Sequence, residues 1–205
     1  MAGMAAISSE NELRALHSPP KARTLAKQLD RLDRHCRRFI QLSPFVVMAT
    51  SDADGHMDAT PRGGDPGFVK VADHGTLLLP DRPGNNRLDS LSNLTENPEI
   101  GLLFMIPGVD ETLRVNGTVE LRTDTDLVGP FRVGRRAPAV VLRITVREAY
   151  LHCAKALMRS HLWDPRAQID RSELPTLGEM LRDQTGSGKA ELQAEMVERY
   201  RGELY

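Results

Sequence analysis

Between residues 111 and 122 the sequence ETLRVNGTVELR alternates strictly. Leu113, Val115, Gly117, Val119 and Leu121 fall on one face, and Arg114, Asn116, Thr118, Glu120 and Arg122 on the other. A period of two predicts a β-strand with one buried face. Its other face is wet or meets a partner subunit. Short apolar runs at 45–50 (FVVMAT), 99–106 (EIGLLFMI) and 139–150 (AVVLRITVREAY) read as further strands. Turn residues separate them. Asp52-Ala53-Asp54-Gly55 leads into a return strand carrying His56, Asp58 and Thr60, and Asp73-His74-Gly75 joins 67–72 to 76–80. Pro107-Gly108 turns the chain into 111–122. Roughly six or seven strands with hairpin links predict a mainly β, α+β fold built on an antiparallel sheet. A closed or split barrel removes most of its exposed edges.

Helical spacing is confined to fewer places. Leu25, Leu29, Leu32, Cys36, Phe39 and Ile40 recur mostly at steps of three and four, predicting one amphipathic helix from Thr24 toward Pro44. Leu88, Leu91 and Leu94 predict a short helix stopped by Asn97-Pro98. Thr123 to Asp126 start a helical turn, and 173–205 hold two more helices, with Leu192, Met196 and Tyr200 as a partial stripe. Residues 1–20 end in Pro19-Pro20 and read as a mobile arm. The expected organisation is therefore an arm (1–20), a split-barrel domain with its N-terminal helix (21–163) and a helical extension (164–205).

Composition narrows the function classes. The 205 residues suffice for one substantial domain, and a 40% apolar content is that of a globular chain. A net charge of -1 argues against a nucleic-acid-wrapping surface. Two cysteines, Cys36 and Cys153, lack CxxC spacing, and the histidines lack HExxH spacing, so no metal site is expected. No stretch approaches a membrane span or a secretory h-region, so a cytoplasmic protein without membrane contact is expected. No GxGxxG fingerprint supports a Rossmann unit.

Candidate chemistry gathers in the middle of the chain. The turn Pro80-Asp81-Arg82-Pro83-Gly84-Asn85-Asn86-Arg87 precedes the helix of Leu88, Leu91 and Leu94. Free N–H groups and the dipole at that helix start suit a phosphate, and arginines add charge-assisted donors. An ordinary N-cap at Asn85 or Asn86 with solvated arginines explains the same residue types. Gly63 and Gly64 after Pro61-Arg62 permit close approach of a ligand, or a sheet corner. Further on, Lys155 and Arg159 are four apart, with Ser160 and the single tryptophan, Trp163, following. They suit either a clamp on a planar anion or a charged surface with one anchoring ring.

The segments DATPRGGDPGFV, TLLLPDRPGNNRLDSL, NPEIGLLFMIPGVDETLRVNG and HCAKALMRSHLW, in this order, resemble the pyridoxamine 5'-phosphate oxidase-like family of FMN-binding split barrels. They come nearest its uncharacterised FMN-dependent branch, over about 45–163. The resemblance implies a homodimer of six-stranded antiparallel split barrels with FMN at the subunit interface. By position, Ala59, Thr60, Pro61, Arg62 and Gly63 run along the flavin, Leu79 and Pro80 flank its ring and ribityl chain, and Asn85, Asn86 and Arg87 hold the phosphate. Arg114, Lys155, Arg159, Ser160 and Trp163 approach from the partner. Two departures matter: the oxidase's basic run in the second strand is reduced here to Arg62, and its C-terminal arginine motif is missing. The implied function is an FMN-dependent oxidoreductase acting on a small molecule, with NAD(P)H a candidate donor and a deazaflavin an alternative ligand. Gly63 and Gly64 N–H groups with Arg62 are expected to stabilise negative charge on the ring. The rival reading is a non-catalytic flavin-binding or flavin-sensing module.

Overall fold

In the computed structural model, which describes residues 6–186 and 188–204, helix α1 (Glu10–Ala15) lies within the expected arm and buries nothing. The first five residues of that arm lie outside the described residues, as do Ser187 and Tyr205 of the extension. The single helix expected from Thr24 onward is instead two, α2 (Ala22–Ala26) and α3 (Arg34–Leu42). Tertiary pairing breaks it. Leu29 forms an antiparallel bridge with Ala149, its N–H donating to the Ala149 carbonyl at 3.0 Å and its carbonyl accepting at 2.8 Å. Leu32 N–H donates to His74 O at 2.7 Å. Asp33 then restarts the helix by accepting from the His35 and Cys36 N–H groups at 2.9 and 2.8 Å, an N-cap of the usual kind.

The strands follow as β1 (Phe45–Ser51), β2 (Met57–Gly63), β3 (Lys70–Val71) and β4 (Thr76–Pro80). Helix α4 (Asp89–Glu96) separates them from β5 (Glu99–Ile106) and β6 (Val109–Arg122). The turn α5 (Thr125–Val128), a Gly/Pro/Arg loop and β7 (Val141–His152) complete the sheet. The strand order is β2-β1-β5-β6-β7-β4-β3, antiparallel throughout. The count is seven where the resemblance implied six, and β3 is only two residues long.

The alternation of 111–122 is realised in burial: Leu113, Val115 and Val119 are buried, while Arg114 and Glu120 are exposed. Leu32, Cys36 and Ile40 cover the same core from α3 and the segment before it. Full burial of such a leucine or isoleucine contributes about 2 kcal/mol of transfer free energy. Burial, with Asp33 next to it, raises the Cys36 thiol to about 12, so this cysteine is a core residue and no nucleophile. Between Asn116 and Gly117 the β6–β7 register shifts by one residue. A Cβ at Gly117 would lie 2.1 Å from Thr145 O, so the bulge requires glycine there.

After β7 come α6 (Lys155–Ser160), two single-turn 3-10 segments, α7 (Leu177–Thr185) and α8 (Gln193–Glu203). Thr176 and Glu179 form a full capping box at α7. Among the described residues no helix is long and apolar enough to cross a membrane.

Candidate functional site

The site forms where β2, the loop after β4 and α8 face one another. β2 lies at the sheet edge, where Pro61 costs no ladder hydrogen bond to a second neighbour. Its alternation leaves Asp58, Thr60 and Arg62 half-buried on one face, and Met57, Ala59, Pro61 and Gly63 exposed on the other. Arg62 Nη1 donates to Asp81 Oδ1 at 2.7 Å, both side chains being about four-fifths buried (21% and 18% exposed). Arg62 Nε is buried with no hydrogen-bond partner. An orphaned guanidinium N–H beside a cleft marks a place for an acceptor.

The loop from Pro80 to Leu88 is pinned at its base, where Asp81 N–H donates to Val140 O at 2.9 Å. Asn85 Oδ1 accepts from Arg87 N–H at 3.0 Å, an Asx turn. Helix α4 begins at Asp89, one residue after the Leu88 that opens its leucine series. Its cap is Leu88, in the left-handed region at φ 60°, and Asn86 is left-handed as well at φ 58°. A left-handed leucine is strained, a conformation held by its surroundings. Neither Asn85 nor Asn86 is the N-cap. Ser90 Oγ donates to the Asp58 carboxylate and ties the start of α4 to β2.

Two adjoining recesses open here, of about 390 and 850 Å³. Thr60, Arg62, Arg82, Pro83, Gly84 and Asn85 line both. The smaller holds the Asn86-Arg87 end of the loop, with Asp58, Asp81 and Asp89 balancing its arginines. Arg87 Nε donates to Asp89 Oδ2 at 2.8 Å, and that carboxylate holds the guanidinium above its usual range. The larger recess is lined by four arginines, Arg62, Arg82, Arg136 and Arg199, and one carboxylate, Glu203, with Arg62 paired to Asp81 and Arg199 to Glu191 and Glu203. Pro61, Pro80, Phe68, Tyr200 and Leu204 give it apolar walls.

Of the residues singled out in the sequence, Thr60, Pro61, Arg62, Gly63, Pro80 and Asn85 line the larger recess, and Asn86 and Arg87 the smaller. Ala59, on the same face of β2 as Pro61 and Gly63, lines neither recess. Leu79 is 1% exposed within the core and presents no side chain to a ligand. The Gly64 N–H is not available as a donor, because Pro44 O accepts it at 3.1 Å. A Cβ at Gly64 would lie 2.8 Å from Phe68 Cβ, so this glycine serves a tight corner.

Arg114, Lys155, Arg159, Ser160 and Trp163 line neither recess. Arg114 Nη1 donates to the Tyr150 hydroxyl at 3.0 Å on the outer face of the sheet. Ser160 Oγ donates to Leu157 O at 3.0 Å. Helix α6 ends at Ser160 and His161 turns left-handed, so Trp163 does not continue the Lys155–Arg159 face. Its indole N–H donates to Val109 O at 2.9 Å and anchors the chain to the β6 end.

Arg136, Phe68 and the α8 residues were not recognised in the sequence as parts of the site. The sequence signals for them are Tyr200 in the stripe with Met196 and Arg136 in the arginine-rich loop after Phe131. Among the described residues no group of three or more His, Cys, Asp or Glu could hold a metal ion.

The family model for pyridoxamine 5'-phosphate oxidase matches residues 32–153. No curated protein matches the sequence. Among solved structures, the chain is similar to a candidate pyridoxamine 5'-phosphate oxidase from Lactobacillus delbrueckii, at 21% identity and TM-score 0.48 over 60% of this chain and 98% of that one. It is similar to HupZ of Group A Streptococcus (20%, TM-score 0.46, 57% and 90%) and to HutZ, the heme storage protein of Vibrio cholerae (14%, TM-score 0.39, 60% and 94%).

Proposed function

The chain belongs to the pyridoxamine 5'-phosphate oxidase family, and on that premise we propose that it is an FMN-dependent oxidoreductase of a small molecule, working as a homodimer. One observation carries the reading. The end of β2 and the loop after β4 open on the same arginine-lined cleft, with the buried Arg62 Nε left without a partner. The donor set fits a phosphate monoester, and the proline and aromatic walls fit a flat ring.

In this reading Asn85, Asn86 and Arg87 hold the phosphate, and Arg62 donates to the polar edge of the ring. A hydrogen bond to a charged group contributes about 1.5–3 kcal/mol, so the loss of one such contact weakens binding by roughly tenfold to a hundredfold. Phe68 and Pro80 keep water from one side of the ring. Arg114, Lys155, Arg159, Ser160 and Trp163 come from the partner subunit. FMN, when bound, supplies the acceptance and release of a hydride or an electron pair. Residues 21–163 form the binding domain and 164–205 its extension.

A second reading is flavin binding without turnover; among the described residues no histidine, cysteine or lysine lines either recess, so any turnover would rest on the flavin itself. The first experiment is an absorbance spectrum of the purified protein after incubation with FMN and gel filtration. Retained flavin bands near one per subunit support both readings. Reduction by NADH or NADPH followed by reoxidation selects the enzyme. No retained flavin, or a Soret band after incubation with haem, overturns the flavin assignment.

A further inference from the structure

Helix α8 lies outside the matched segment 32–153, yet Arg199, Tyr200, Glu203 and Leu204 form one wall of the larger recess, facing Thr60 to Gly63. The wall has its own foundation. Met196 is buried beside Leu177 and Leu181 of α7. A Cβ at Gly178 would lie 2.4 Å from Glu191 O, so the two helices meet backbone to backbone. Arg199 donates to Glu191 at 3.0 and 2.8 Å and to Glu203 at 3.3 Å. Its guanidinium sits 4.6 Å from the centre of the Tyr200 ring, a cation–π distance. Tyr200 and Leu204 nonetheless remain 40% and 62% exposed, so apolar surface is left open at a concave site, as a ligand-facing wall requires.

We propose that Tyr200 and Leu204 are specificity-determining residues: they set the width of the slot beside the bound flavin ring, and the Arg199–Glu191 bridge positions them. The slot then admits small flat second ligands and rejects broader ones. A filled pocket discriminates sizes by roughly tenfold or more per group it must displace. This inference rests on the FMN reading above.

The test uses the full-length protein loaded with FMN and reduced anaerobically with one equivalent of dithionite. Reoxidation is followed by stopped flow with 1,4-benzoquinone and with the broader 9,10-phenanthrenequinone. Each quinone takes two electrons and two protons and leaves as the hydroquinone. The ratio of the two rates is compared between wild type and variants, so the intrinsic reactivity of the quinones cancels. Tyr200→Ala is expected to shift the ratio at least about tenfold toward the broader quinone, and Tyr200→Phe to keep the wild-type ratio. A second readout, iodide quenching of the bound FMN fluorescence at fixed ionic strength, is expected to rise in Tyr200→Ala. If Tyr200→Ala does not fold, Leu204→Ala trims the same wall from an exposed position. An unchanged ratio in a variant that holds FMN overturns the inference and leaves the flavin reading standing. A wild type that retains no FMN overturns both.

Discussion

Arg62 on β2 and Asp81 just past β4 meet at 2.7 Å, although their strands are first and sixth in the order of the sheet. Five flat inter-strand steps would separate them by roughly 24 Å. The sheet therefore curls until its far edges are within reach of one side chain. The pair is a clasp on the barrel as well as part of the candidate site.

Breaking the clasp leaves a largely buried charge alone. Asp81→Ala is expected to destabilise the fold by about 1–3 kcal/mol, and Arg62→Ala by less, since it removes the orphaned Nε as well. Urea unfolding midpoints of the two single variants and the double variant measure this. Additive effects would mean that the pair does not couple the edges.

Arg87 is expected to hold the FMN phosphate, so Arg87→Ala should weaken FMN binding at least about tenfold. Asp89 now competes for that guanidinium, and Asp89→Asn should tighten FMN. Fluorescence titration checks both, and equal affinity in Arg87→Ala removes the phosphate assignment.

His152 provides a pH signature. Burial first, then the charges of Arg114 and Lys27, lower its pKa below the usual 6.5, and its Nε2 is buried without a partner. A lowered histidine binds protons better unfolded than folded, so stability is lost as pH falls from 6.5 through the folded value. Below that value this loss is complete. Wild type should lose stability between pH 7 and 5, and His152→Gln should flatten that part of the curve. Parallel curves would exclude His152 as the source.

The outer face of β6 and the 74% exposed Met57 motivate the homodimer. Light scattering should give twice the chain mass with FMN bound. A monomer that still holds FMN would refute a site shared between subunits.

Much of the sheet was legible because its signals are local. The 111–122 alternation and the Asp-Gly turns each depend on neighbours in sequence. The break after α2 was not, because Leu29 satisfies helical spacing while pairing with Ala149, a residue far along the chain. The left-handed Leu88 hides in the same way: it opens the leucine series in sequence while its backbone lies outside the helix, as its N-cap. The clustering of Thr60, Arg62 and Asn85 was readable from the family resemblance. The arrival of Tyr200 beside them was not, since docking of α8 leaves no periodic mark.

The strand order also dictates a timetable for synthesis. β1, β2, β5 and β6 can pair as the chain emerges, but β4 hydrogen-bonds to β7, which the ribosome delivers much later. Until then the β3–β4 hairpin carries Leu77 and Leu79 without their core, a window in which a nascent chain is prone to aggregate. The clasp at Asp81 and the wall at Tyr200 close only afterwards. Assembly of the recess is thus tied to the last steps of folding, and a ribosome-stalled fragment ending before β7 should lack it.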